Sequence, residues 1–296
     1  MDKMNFESSF GDLVERVKKV PDREMGENEI LSDDGSKILC TVCHETKRVR
    51  HDSKLFGVYW TKPETGGCKC EREKAEAEKQ QNIKDDFMRF WNGEKYLSLM
   101  GKRYATKDFS KLVEQKDNPS YQTAKKACMD YVKSYDICLD RGYGIYLYSA
   151  QAGNGKSSLL ACVRNALIEK LVPTVYINYS DLVSLASDRG NENASTVLSF
   201  NGLMSVKVLI IDDIGAEDLR RNTNRGSWIN GFLYELIDTR YNNCLCTMFS
   251  SNYTVEQLQN LRGYDFKVCD RITGASTKTY KITGKSFRGE TWELSE

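Results

Sequence analysis

The sequence predicts an α/β domain built on a parallel sheet flanked by helices, preceded by a small module organised by cysteines. Three observations carry this. Five short apolar runs, at 144–148, 174–178, 206–211, 245–250 and 279–283, are mostly separated by stretches of helical spacing. Strands that alternate with helices give a parallel sheet covered on both faces. The first run leads into a glycine-rich loop ending in lysine and serine, and far upstream four cysteines stand in two close pairs.

Composition narrows the function classes. The chain has 296 residues, which at roughly 100–200 residues per domain means two domains, or one with an appendage. Lys+Arg number 43 and Asp+Glu 42, a net charge of +1. That excludes holding nucleic acid by bulk electrostatics, so any DNA binding must come from a local basic surface. No apolar run follows the first residues as a signal peptide would require, and no stretch approaches the roughly 18 apolar residues of a membrane span. The expected location is therefore a reducing cytoplasm, with no membrane partner, where ten cysteines are thiols, metal ligands or redox groups.

Four zones follow in order. Residues 1–39 form a polar segment with one amphipathic stretch at about 6–20, where Phe10, Leu13, Val14 and Val17 follow helical spacing. Residues 40–70 are the four-cysteine module. Residues 71–92 are charge-dense, without an apolar face before Phe87, and read as a solvated helical linker. Residues 93–296 are the α/β domain, entered through Ala124, Cys128, Tyr131, Tyr135 and Cys138 at helical intervals.

Cys40 and Cys43, then Cys68 and Cys70, are spaced so that four thiolates can surround a zinc ion. Gly66 and Gly67 would let the second knuckle turn. Disulfides are the alternative, and His44 could replace one ligand. Four protein ligands make such a zinc structural rather than catalytic. The other six cysteines read as small buried hydrophobes, with Cys244 and Cys246 on one strand facing one side.

Behind the 144–148 strand stands Ala150-Gln151-Ala152-Gly153-Asn154-Gly155-Lys156-Ser157-Ser158. Glycines let backbone N–H groups converge on phosphate oxygens, and a helix starting near Ser157 adds partial positive charge. Lys156 can reach the β- and γ-phosphates, and the Ser157 hydroxyl can ligate magnesium. The binding set is Gly153, Asn154, Gly155, Lys156, Ser157 and Ser158. Ala150 stands where the usual pattern has glycine, which is tolerable at negative φ.

The 206–211 run ends in Asp212-Asp213, a Walker B arrangement. Asp212 would hold magnesium, and Asp213 would orient and deprotonate the attacking water. Ser250-Ser251-Asn252 ends the next strand, with Asn252 at the sensor 1 position. Arg271 and Arg288 suit an inter-subunit arginine finger and a sensor 2 residue, each with an ordinary surface arginine as the alternative. Together these predict an ATPase of the AAA+ type.

At this point the chain resembles the DnaC/DnaI-type bacterial or phage-encoded replicative helicase loaders. The residues that carry the resemblance are 144–158, 206–215, Leu236-Ile237-Asp238-Thr239-Arg240-Tyr241, Ser250-Ser251-Asn252-Tyr253, Asp270-Arg271-Ile272 and Phe287-Arg288. It spans roughly residues 95–290, and the chain stops soon after Arg288 with no large lid domain. The resemblance implies that Arg271 reaches a neighbour's ATP while Arg288 serves its own subunit. It implies self-association through the ATPase domain, a hexameric replicative helicase gripped by the N-terminal module, and single-stranded DNA in the pore of a ring or spiral. Arg220, Arg221, Arg225 and Trp228 match the family's DNA-contacting segment, three cations for phosphates and one indole for stacking; an ordinary basic loop with a core tryptophan is the alternative. The competing functions are an IstB-type transposition helper, which shares the ATPase core, and a nucleotide-dependent switch with little hydrolysis.

Overall fold

The computed structural model describes residues 25–112, 115, 117–187, 199–216, 223–261, 263–284 and 286. The amphipathic stretch at 6–20 lies outside them. The chain divides into two compact units, Met1–Asp85 and Asp86–Glu296.

The first unit holds an antiparallel sheet of β1 (Glu29–Leu31), β2 (Lys37–Cys40), β3 (Thr46–Ser53) and β4 (Gly57–Thr61), in that order. The sheet starts well before Cys40, inside the segment expected to be polar and helical. Strands of three and four residues are too short to show an alternating pattern, yet the turn between them is written in the sequence. Asp34 accepts from the Ser36 amide at 3.0 Å, Ser32 Oγ accepts from the Lys37 amide at 2.9 Å, and Gly35 supplies the positive φ. The helix α1 (Lys69–Trp91) follows, its exposed face carrying Lys69–Glu73 and Lys74–Glu78 pairs one turn apart.

The second unit opens with the short helices α2 (Glu94–Met100) and α3 (Lys102–Ala105). The helical spacing from Ala124 to Cys138 resolves into two helices, α4 (Pro119–Lys133) and α5 (Tyr135–Arg141), broken at Ser134. Asn118 caps α4 by accepting from the Tyr121 amide at 3.1 Å, with Pro119 just inside. The sheet strands are β5 (Gly144–Tyr148), β6 (Thr174–Asn178), β7 (Val208–Ile214), β8 (Cys246–Ser251) and β9 (Ser276–Lys281). All pairings are parallel, in the order β6-β7-β8-β5-β9. Helices α6 (Lys156–Glu169), α7 (Tyr179–Ser187), α8 (Phe200–Ser205), α9 (Thr223–Asn242), α10 (Val255–Leu258) and α11 (Phe266–Ala275) complete the unit.

Two apolar clusters form its core. One contains Ile145, Leu147, Leu159, Leu160 and Ile210, the other Tyr146, Ile177, Leu209, Ile211 and Phe249. Alternate residues of the same strands enter different clusters, as the strand period demands when both faces are covered. Arg240 on α9 is fully buried and donates to Thr247 Oγ1 and to the carbonyls of Leu203, Val206 and Cys246 at 2.6–2.9 Å. It ties α9 to β8 and to the end of α8, and burial pushes its pKa down to about 9.

Cys244 does not lie on a strand with Cys246. It sits in the preceding turn at φ +51 and is exposed, while Cys246 is buried in β8. α9 ends at Asn242 and β8 begins only at Cys246, so the two thiols do not share a strand face.

Candidate nucleotide-binding site and cysteine cluster

The order of strands decides which side chains can meet. β8 lies between the phosphate-loop strand β5 and the acidic strand β7, so residues at its carboxyl end stand between lysine and acids. Ligands of open parallel sheets bind at this end of the strands.

The loop after β5 turns through Gly153 at φ +83 and Gly155 at φ +96, conformations that only glycine adopts without strain. Ala150 does not take a positive φ, so its lost glycine is harmless to the turn. Gly155 begins α6 with no side chain capping the helix, which leaves the first N–H groups of a 14-residue helix for an anion. Asn154 is fully buried and braces the loop, donating to Ser149 Oγ and to the Ile282 carbonyl at 3.2 Å.

Lys156 is nearly buried and donates to Asn252 Oδ1 at 3.0 Å and to the Gln151 carbonyl at 3.4 Å. Asn252 Nδ2 donates to Asp213 Oδ1 at 3.2 Å. Ser157 Oγ donates to Asp212 Oδ1 at 3.0 Å, and Ser250 Oγ donates to the same oxygen. The Asp213 amide donates to Ser250 Oγ at 2.9 Å. A single hydrogen-bonded chain thus runs from Lys156 through Asn252, Asp213, Ser250 and Asp212 to Ser157. Tyr176 on β6 lies behind it; burial and the neighbouring Asp212 carboxylate push its phenol pKa well above the ordinary value. A carboxylate beside a loop hydroxyl is a hard oxygen pair suited to magnesium next to phosphates.

Arg271 is on α11, where it pairs with Asp238 and Asp270 of its own chain. Trp228 is 39% exposed, with its ring centroid 5.0 Å from that of Phe232, so it is half solvent-facing and half packed. Ser158 follows Ser157 on α6. Arg220, Arg221 and Arg288 lie outside the described residues, and Arg225 is described only as part of α9.

In the first unit the Sγ atoms of Cys40, Cys43, Cys68 and Cys70 all lie within 4.8 Å of one another. Tetrahedral zinc with bonds of about 2.3 Å needs thiolate sulfurs about 3.8 Å apart, so a small contraction accommodates the ion and the donor set fits it. Backbone N–H groups of Cys70 and Glu45 point at the Cys43 sulfur and lower its pKa to about 6. Hydrogen bonding to Cys43, then burial, pushes Cys70 up to about 12, and burial raises Cys68. Four thiols crowded this closely disfavour several negative charges at once, the repulsion that a cation relieves. Gly66 and Gly67 take φ +84 and +110, turning the chain into the second knuckle, and a Cβ on Gly67 would run into the Glu71 carboxylate. His44 is exposed and outside the cluster. Among the described residues no helix is long and apolar enough to cross a membrane.

The sheet order, the phosphate loop and the paired acids define an AAA+ P-loop nucleotide-binding domain, carried with a four-cysteine cluster compatible with zinc. Its sequence is similar to the replicative helicase loader DnaC of Escherichia coli K12, 24% identical over 162 residues, covering 52% of this chain and 63% of that protein. DnaC of Buchnera aphidicola subsp. Baizongia pistaciae is 25% identical over 158 residues, with 53% and 61% covered. The matched region is thus less than two thirds of these curated relatives. Among solved structures, a candidate primosome component from Streptococcus pyogenes serotype M3 superposes with a TM-score of 0.50 at 27% identity, covering 64% of this chain and 92% of that one. The DnaC helicase loader superposes at 0.51 with 21% identity, covering 62% and 100%. No family model matches the chain. The loader resemblance carried by the motifs is the one these relatives bear.

Ser250 and Asp238 are site residues that spacing alone does not single out: the Ser250-Ser251-Asn252 and 236–241 runs carry no signal of what either side chain touches.

Proposed function

We propose that this chain is an ATPase that loads a hexameric replicative helicase onto single-stranded DNA at replication initiation. The observation that supports it best is the hydrogen-bonded chain from Lys156 to Ser157, in a sequence whose relatives are named helicase loaders.

On ATP binding, loop N–H groups from Gly153 to Ser158 and the start of α6 take the phosphates. Lys156 exchanges Asn252 and the Gln151 carbonyl for β- and γ-phosphate oxygens. Ser157 and Asp212 would hold magnesium, which when bound supplies charge neutralisation between the phosphates. Asp213 accepts the proton of the attacking water, and Asn252, within reach of both Asp213 and Lys156, orients that water against the γ-phosphate. Arg271 acts on a neighbouring subunit's ATP and Arg288 on its own.

ATP-bound subunits associate side by side, and Arg220, Arg221, Arg225 and Trp228 hold single-stranded DNA inside. The cysteine module, folded around zinc, and the N-terminal segment grip the helicase in the cytoplasm. Hydrolysis weakens the subunit interface and releases the loader.

The test is co-purification of the full chain with the replicative helicase of its own cell, with and without ATP. Capture with ATP is the expected result. A transposase captured in its place would turn the reading to an IstB-type helper, and helicase capture without ATP hydrolysis to a binding switch.

A further inference from the structure

Successive side chains of a strand point to opposite faces, so two adjacent acids should not both reach one site. Here they do. The pairing of β7 with β8 slips between Ile211 and Ile214, and Asp213 adopts φ +62, the left-handed region that non-glycine residues rarely occupy. The irregularity re-aims Asp213 to the same end as Asp212: one acid meets Ser157, the other Asn252.

We propose that Ser250 is the positioning residue that holds this turn and fixes the angle between the two acids. It is fully buried on β8, opposite the slip. A hydroxyl has one proton and two lone pairs. Ser250 spends the proton on Asp212 Oδ1 and a lone pair on the Asp213 amide, 2.9 Å away. One oxygen atom thereby sets the side chain of the first acid and the backbone of the second. Ser157 makes a second bond to Asp212 Oδ1, so removing the Ser250 hydroxyl leaves Asp212 partly held. The Asp213 turn keeps the Ala216 amide on its carbonyl but loses the bond to its own amide, which sets the Asn252–Lys156 end of the chain. Ser250 acts through the two acids it holds, above all through the backbone of Asp213. The consequence for turnover rests on the ATPase reading above, while the anchoring itself does not.

Ser250→Ala and Ser250→Thr in the full chain separate the possibilities. Alanine removes only the oxygen and overfills nothing; threonine keeps the hydroxyl. Backbone hydrogen exchange is read at Asp213, and ADP affinity is measured without magnesium. With alanine, exchange at Asp213 rises about ten-fold for one lost hydrogen bond, ADP affinity holds within about two-fold as expected away from the broken contact, and turnover at saturating ATP falls about a hundred-fold for a displaced base. Threonine restores protection. Unchanged Asp213 exchange in the alanine variant overturns the proposal, as does a folded threonine variant that exchanges like alanine. If threonine does not fold, the alanine exchange rate decides alone. Asp213→Asn separates the two ideas: wild-type turnover there would overturn the ATPase role of Asp213 and leave the exchange result standing for Ser250.

Discussion

The guanidinium of Arg271 is held by Asp238 of the same chain: Nε donates to Oδ1 at 2.5 Å across two helices, α11 and α9. Nη1 donates to Asp270 at 3.0 Å, and the guanidinium carbon lies 5.3 Å from the Tyr241 ring centroid. Two nitrogens are engaged, the side chain stays 31% exposed, and the pairing raises the Arg271 pKa. This is a cation held at the surface by two carboxylates of its own chain, and the proposed finger role requires it to be presented from there to a neighbour's phosphate. Arg271→Ala should lower ATP turnover by about 10³-fold, the size expected of a finger. Mixing these subunits with Asp213→Ala subunits should recover part of the activity in a steady-state assay, because each supplies what the other lacks. Asp238→Ala should lower turnover about ten-fold through a lost charge-assisted bond, with Asp238→Asn intermediate. A rise with Asp238→Ala would mean that Asp238 restrains the arginine instead of presenting it.

Lys156→Ala should reduce nucleotide affinity and turnover together, by about a hundred-fold or more, since one buried cation serves the phosphates in ground and transition states alike. Fluorescent-nucleotide titration beside the turnover assay checks this. Normal turnover would remove the loop from the reaction. Asn252→Ala should instead lower turnover with affinity nearly kept, because Asn252 contacts Lys156 and Asp213 and, in the proposed reading, acts on the phosphates only through them.

How much of this was legible follows from how local each signal is. β5 and β6 were readable to the residue because each is a five-residue run with four buried positions. β7 runs past the boundary read from sequence because an irregular strand still reads as apolar residues ending in acid, and the slip exists only in its register with β8. β1 and β2 were missed because so few residues show no period. The bonds of Ser250 to Asp212 and Arg271 to Asp238 join residues 38 and 33 positions apart. They depend on β8 inserting beside β7 and on α11 crossing α9, which no local spacing encodes. The cysteine cluster was legible for the opposite reason: few arrangements of two close pairs bring four sulfurs together.

Metal analysis of the purified chain should find about one zinc per chain, as four thiolate ligands imply. Replacing Cys68 and Cys70 together by serine should abolish it and unfold the β1–β4 sheet, read as lost amide protection at β2 and β3. ATP binding by the second unit should survive, because its core and its site share no residue with the cluster. Full zinc retention in the double variant would refute the ligand set.

Trp228→Ala should weaken single-stranded DNA binding by about ten-fold, the loss of one stacked base, at matched salt and with unchanged ATP binding. Trp228 also packs on Phe232, so a thermal melt must accompany the titration. Trp228→Phe keeps a stacking face and should retain most affinity. Unchanged affinity in the alanine variant would make the indole a packing residue.

Arg240 offers the sharpest test of packing. Its guanidinium has five donors in a fixed fork, and here they meet Thr247 Oγ1 and three carbonyls in a fully buried pocket. The burial that lowers its pKa also makes its removal costly, since each stranded acceptor loses a partner and cannot reach water. At about 1–3 kcal/mol per unsatisfied group, and without full additivity, Arg240→Ala should destabilise the second unit by at least about 3 kcal/mol. Arg240→Lys should recover little, because an ammonium on a straight stem cannot span α8, the strand and Thr247 at once. Urea unfolding followed by far-UV circular dichroism measures both. A shift below about 1 kcal/mol for alanine, the range of ordinary surface changes, would mean that water replaces the guanidinium and that Arg240 does not pin α9 to β8.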